Sequence, residues 1–232
     1  MNEQGGNGMS INFEKRNCKL LLGILGCILF MVGDWLLDMK GAGNVSMGFV
    51  ESNWVNMSMW RFEASILLGA LGTPLYWCAA REMTAIFAER CGKSKMERTM
   101  QRVFSFGVAA AVLSWVFIHI MCCMLPVIFK CTYAVFPDAE AVTGVVNRLT
   151  AYVAVPFFAY FIVSDGCLSM AWIYMAWNRK IDCSRWTILC CPLFTLVLAH
   201  IVNYIPVLDQ LTGAFESMGH LLMLVTVWFC LI

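Results

Sequence analysis

Charged side chains are scarce, making up 13% of the 232 residues against 60% that are hydrophobic. A soluble domain of this size cannot cover such a chain with polar surface, which excludes an ordinary water-soluble fold. Basic residues form no cluster beyond what membrane insertion asks for. With a formal net charge of +1 the chain carries no electrostatic footprint for nucleic acid. C-x-x-C is absent, and the adjacent pairs Cys122-Cys123 and Cys190-Cys191 diverge on a helix, so neither a redox motif nor a zinc ribbon is encoded. Most of the twelve cysteines, Cys230 among them, lie in or beside apolar runs and read as small packing residues. Only Cys131 is placed in an extracytoplasmic loop. Internal repeats and any stretch long enough for a separate soluble domain are also missing.

What remains is a series of apolar runs. Residues 1–12 are polar and rich in Gly and Asn, the composition of a disordered tail, and residues 13–232 form a single transmembrane domain. The run from Leu20 to Leu37 is longer than a signal-peptide core and lacks an A-x-A-like cleavage site, so it reads as an uncleaved first span. The expected fold is all-α, a bundle of six transmembrane helices over about 20–38, 60–80, 103–129, 149–177, 186–205 and 211–232. Pro74 and Pro156 interrupt two of them, and Pro206 with Asp209 makes a tight connection before the last. A loop at 130–148 is expected to hold a short interfacial helix.

Lysine and arginine in short loops set orientation. Lys15, Arg16, Lys19, Arg81, Arg90, Lys93, Lys95, Arg98, Arg102, Arg179, Lys180 and Arg185 fall on one side, and Lys40, Arg61, Lys130 and Arg148 on the other. Both termini are therefore expected in the cytoplasm of a multi-pass cell-membrane protein, with loop 39–59 outside. Two glycosylation sequons, Asn44-Val45-Ser46 and Asn56-Met57-Ser58, sit in that loop and matter only in a eukaryotic secretory pathway.

Ionisable residues inside the spans mark the candidate site, because each costs several kcal/mol against lipid and must find a partner or water. At about 1.5 Å of rise per residue, Asp34, Glu63, His119, His200, Glu216 and His220 all fall roughly 2 to 12 Å inside the outer boundary of the hydrocarbon. Glu216 and His220, four apart, share one helix face, as do Asp34 with Asp38 and, three apart, His200 with Asn203. Arg61, Ser65, Gly69, Gly72 and Tyr76 form a small-residue stripe that lets another helix approach, with Arg61 the natural counter-ion for Asp34, Asp38 or Glu216. His119 shares its face with Cys122 or Cys123, whereas Ser114 points away. Asp165 beside Gly166, near mid-membrane, reads either as a proton-linked carboxylate or as a cap at a helix break.

The blander readings are interfacial ion pairing or snorkelling for Asp34, Asp38, Arg61 and Glu63, and interhelical hydrogen bonding for His200 and Asn203. The sharper reading is an outward-facing polar pocket for a small molecule, a lipid or an ion. Three chemistries fit it. His119, His200 and His220 offer three imidazoles for a zinc ion that would activate water against a lipid or amide. Alternatively, the acids and histidines serve a proton-linked transporter, although small size and lack of repeats call for a homo-oligomer or for no transport at all. A third reading is an accessory or sensor subunit.

In outline the zinc reading resembles the intramembrane hydrolases that include alkaline ceramidases and adiponectin receptors, which implies a zinc held by histidines from several helices. That family has seven spans, a serine four residues before its first histidine and a late H-x-x-x-H. Here Ser114 stands five before His119, and the last span reads Glu216-x-x-x-His220. A second resemblance rests on Trp60-Arg61, Ser65, Leu68-Gly69, Gly72, Pro74-Leu75-Tyr76, Gly33-Asp34 and Gly213-Ala214-Phe215-Glu216. These are similar to an uncharacterised family of small prokaryotic multi-pass membrane proteins, and the likeness implies a six-helix bundle with no assigned activity.

Overall fold

The structure, a computed structural model, describes residues 4–92, 94–181, 183–205 and 208–231. Lys93, counted above for orientation, and Pro206, placed in the last connection, lie outside the described residues, as do residues 1–3 and 232. Among the described residues six α-helices run in chain order: α1 (Gln4–Asp38), α2 (Met59–Arg90), α3 (Lys95–Val135), α4 (Ala139–Trp177), α5 (Pro192–Val202) and α6 (Phe215–Leu231). The all-α fold is as expected. α1 begins at Gln4, so it takes in most of the leader expected to be disordered.

Among the described residues, four segments are long and apolar enough to cross a membrane: Glu14–Asp38, Lys95–Val135, Ala139–Trp177 and Asp209–Cys230. α2 has the length but is not among them, because glycines, Ser65, Thr73 and Glu82 dilute its apolar content. α5 is much shorter than the twenty-residue span expected there. Its N-terminal third is replaced by a 3-10 turn, Arg185–Leu189, and Pro192 then opens the helix at its first turn, where the missing N–H costs nothing. The expected loop 130–148 also shrinks. Asp138 caps α4 by accepting from the Glu140 and Ala141 amides at 3.1 Å each, so α3 and α4 nearly meet. Cys131 consequently sits on α3 rather than in a loop.

α1 and α2 form the tightest pairing, and small residues explain it. A methyl group at Gly26 would come within 2.7 Å of Gly72 O and 2.8 Å of Tyr76 N, so only glycine permits this backbone approach. At one end of the bundle, ion pairs fasten the helices: Arg16 and Lys19 both reach Glu82 (3.0 and 2.6 Å), Arg16 also pairs with Glu89, and Lys180 meets Glu97 at 2.5 Å. Cys230, expected as a packing residue, is joined to Cys183 by a disulfide at this same end.

The opposite end is closed by residues 39–58. A two-residue hairpin, β1 (Ser46–Met47) with β2 (Val50–Glu51), pairs Ser46 with Glu51 and turns at Gly48, whose φ of +78° suits glycine. Asn147 of α4 clamps the hairpin, accepting from the Phe49 amide and donating to Met47 O, both at 2.8 Å. Lys130 of α3 donates to Trp54 O and Val55 O. Outward-facing apolar side chains such as Leu113, Tyr152, Val155, Ile162 and Phe229 are heavily exposed along the helices, a surface compatible with a membrane protein.

Candidate functional site

Beneath the hairpin end lies a cavity of about 140 Å³. Its walls come from α1, α3, α4 and α6, with Gly213 from the 3-10 turn that leads into α6. These are the same four segments that are apolar enough to cross a membrane. Helical spacing explains each wall. Phe30, Asp34 and Asp38 recur every four residues on α1, and Trp115 precedes His119 by one turn on α3. On α4, Phe157 and Phe161 lead along one face to Asp165.

His119 is held from two sides. Its Nδ1 stands 3.2 Å from Asp34 Oδ1, and its Nε2 lies 2.9 Å from the Ser65 carbonyl oxygen. A carbonyl only accepts, so Nε2 carries a hydrogen. Nδ1 then faces a carboxylate oxygen, and one proton has to be held between the two. The other Asp34 oxygen accepts from the Ser217 hydroxyl at 2.6 Å. Ser65 also donates to Gly33 O at 2.8 Å, which ties α2 to α1 directly behind the imidazole.

His220 is buried on the inner side of Trp115, whose ring meets it nearly edge-on at 4.8 Å. Tyr76 Oη lies 2.8 Å from Nδ1, and Asp165 Oδ1 lies 3.2 Å from Nε2. One proton arrangement accounts for both contacts: the phenol donates to Nδ1 and Nε2–H donates to Asp165 Oδ1. Asp165 Oδ2, on a side chain 3% exposed, has no partner among the described residues. Ligand atoms of Asp165, Glu216 and His220 all lie within 4.8 Å of one another.

Glu216 occupies the middle ground. It lines the cavity one helical turn before His220, and among the described residues it makes no hydrogen bond or ion pair. Asp38 lines the same cavity at its mouth and pairs with Lys40 at 3.4 Å. No lysine or arginine contributes to the cavity wall among the described residues.

Five of the acidic and histidine residues read from the sequence therefore converge, namely Asp34, Asp38, His119, Glu216 and His220, and Asp165 joins them from below. Others do not. The three histidines are not brought together, because His200 is on the exposed side of α5 with its ring against Tyr204 at 5.4 Å. The three-histidine zinc set is thus replaced, among the described residues, by the mixed group Asp165, Glu216 and His220. Asn203 is exposed just past α5 and borders a separate polar recess beside the hairpin loop. Arg61 donates to Met39 O at 2.7 Å, closing the C-terminal end of α1, and the cation that meets Asp38 is Lys40. Glu63 is exposed one residue away from the buried Phe62 face. Ser114, expected to point away from His119, lines the cavity with it and bonds back to Ala111 O.

Three contributors were missed as site residues. In the sequence Tyr76 belongs to the close-approach stripe with no visible partner, Ser217 stands beside Glu216 with none of its own, and Trp115 carries no polar signal.

Neither a curated protein nor a solved structure matches the chain. A family profile does, over residues 1–232, and it fits the uncharacterised family expected from the short motifs above. The chain belongs to a family of unknown function, DUF6796.

Proposed function

We propose that the chain is a six-span integral protein of the cell membrane with both termini in the cytoplasm, and that its cavity opens outward and binds a small cationic ligand. Four segments have the length and apolarity for spans. α2 would cross with its glycine face packed on α1 and α3 and with Leu67, Leu71 and Trp77 toward lipid, and α5 would cross with help from the 3-10 turn before it. The lysine and arginine count favours the hairpin end as the outer one.

The observation that carries the ligand reading is the unpartnered Glu216 carboxylate. It faces a cavity that also holds Asp34 and Asp38 and has no lysine or arginine in its wall among the described residues. In surroundings as apolar as Phe30, Trp115, Phe157 and Phe161, a carboxylate left without a cation or donor is costly. A cationic guest supplies the missing partner, and the aromatic walls add cation–π attraction.

Cys122, on the cavity wall, provides the test. In intact cells, with the exposed Cys18 and Cys131 replaced by serine, cationic and anionic methanethiosulfonates of similar size are compared for their rate of reaction with Cys122. The expected result is modification from outside, faster for the cationic reagent, with Glu216→Gln narrowing the ratio. Equal rates for the two reagents, or reaction only after the cells are permeabilised, would remove this reading.

A further inference from the structure

The floor of the cavity is built differently from its mouth. Here Asp165 of α4 faces Glu216 and His220 of α6, and Tyr76 of α2 stands behind. We propose that Asp165, Glu216 and His220 form a binding site for a divalent transition-metal ion. The proposal deepens the cavity reading and rests on it for the route by which the ion arrives.

Three observations carry it. The first is spacing: neighbouring ligand atoms around a tetrahedral ion at about 2.0 to 2.2 Å stand roughly 3.3 to 3.5 Å apart. His220 Nε2 and Asp165 Oδ1 are already 3.2 Å apart, and the Glu216 ligand atom lies within 4.8 Å of both, so that metal binding would draw its side chain inward.

The second is the orphaned oxygen. Asp165 Oδ2 is buried without a partner among the described residues, although buried polar atoms rarely go unpaired. Glu216 is likewise without one. Two carboxylates with unused acceptor capacity beside one imidazole make a site with a place for positive charge.

The third is the support behind the histidine. Ligating imidazoles characteristically use their second nitrogen to bond an outer group that fixes ring orientation and tautomer. Tyr76 Oη, 2.8 Å from Nδ1, holds that position and leaves Nε2 aimed at the Asp165 carboxylate. A phenol can accept from Nδ1–H when Nε2 binds metal, just as it donates when Nε2 carries the proton.

One imidazole with two carboxylates selects ions of intermediate softness, such as Zn²⁺ or Co²⁺, over the copper(I) that thiolates prefer. Three protein ligands leave a tetrahedral ion one further position for water or a small anion.

Cobalt(II) is the probe, because its spectrum tells this site from the chain's many thiols. The full chain is purified in detergent, stripped with chelator, dialysed against cobalt and analysed for metal content. The expected result is stoichiometric cobalt with visible ligand-field bands and no thiolate charge transfer. Asp165→Asn and His220→Gln should each weaken binding by about tenfold or more, and Tyr76→Phe by about tenfold to a hundredfold. If a buried variant fails to fold, Glu216→Gln and the spectrum of the unaltered chain decide.

Cobalt bound through thiolate, cobalt well below stoichiometry, or affinity untouched by these substitutions overturns the metal site. Reaction rates at Cys122 are read on the same protein in cells. Loss of the metal result with the cation preference intact sinks the metal proposal alone, whereas a cavity closed to both reagents sinks the cavity reading.

Discussion

The Tyr76 hydroxyl and His220 Nδ1 are 2.8 Å apart although 144 positions separate them in sequence. Both are buried, and the opposite ring nitrogen of His220 is engaged by Asp165. α2, α4 and α6 are thereby joined through one imidazole.

Removing the hydroxyl isolates the effect. Tyr76→Phe keeps the stacking against Trp115 at 4.1 Å and leaves His220 Nδ1 buried without a partner. The expected cost is about 1 to 3 kcal/mol of stability, read from denaturant unfolding in detergent. A variant as stable as the parent would show that water or a shifted side chain replaces the phenol.

Gly69 and Gly166 are expected to respond oppositely to alanine. At Gly69 the new methyl would overlap the His119 ring, so overpacking should destabilise by about 1 to 3 kcal/mol and disturb the Asp34 contact. At Gly166, within α4, a methyl meets nothing within 4 Å, and the better helix propensity of alanine should add about 0.5 to 1 kcal/mol. Paired thermal melts check both, and equal shifts at the two positions would contradict the packing described.

Acid should loosen the hairpin loop before the bundle. Burial alone would raise the Glu51 carboxyl, but hydrogen bonds from Asn44, Ser46 and Lys40 hold it below its ordinary value. A group whose folded value is depressed adds stability that is complete above the unfolded value and is lost as pH falls through the folded one. Amide exchange across residues 39–58 should therefore quicken in acid below the ordinary carboxylate range. Glu51→Gln should exchange quickly at neutral pH and lose the step, and an unchanged step would assign it to another group.

His200→Ala tests the corrected histidine assignment. With its side chain outside the cavity and no role in the site, the change should fall within about 0.5 kcal/mol in stability. Cobalt affinity and the Cys122 rate ratio should match the parent. A loss of either would return His200 to the site.

Depth was legible in the primary structure, and direction was not. Counting rise along each apolar run puts Asp34, His119, Glu216 and His220 at one level, and all four meet around the cavity or its floor. The same count includes His200 and Glu63, which share the level but turn outward, because height along a helix says nothing about which neighbour it faces. The i, i+4 rule worked within one element, pairing Glu216 with His220, and carried no information about Tyr76 or Asp165 on other helices. Ser217 shows the same gap. Its hydroxyl finds Asp34 across the bundle, while its neighbour in sequence opens into the cavity.

α5, with eleven residues, rises only about 16 Å, roughly half the thickness of a bilayer's hydrocarbon. The 3-10 turn Arg185–Leu189 precedes it, whereas Asp209–Ala214 already belongs to the last apolar segment. In the six-span arrangement proposed above, acyl chains along this flank would have to shorten or splay, each ångström of mismatch costing a fraction of a kcal/mol. The protein should thus settle in thin bilayers, with that side as the place where its lipid annulus is most deformed.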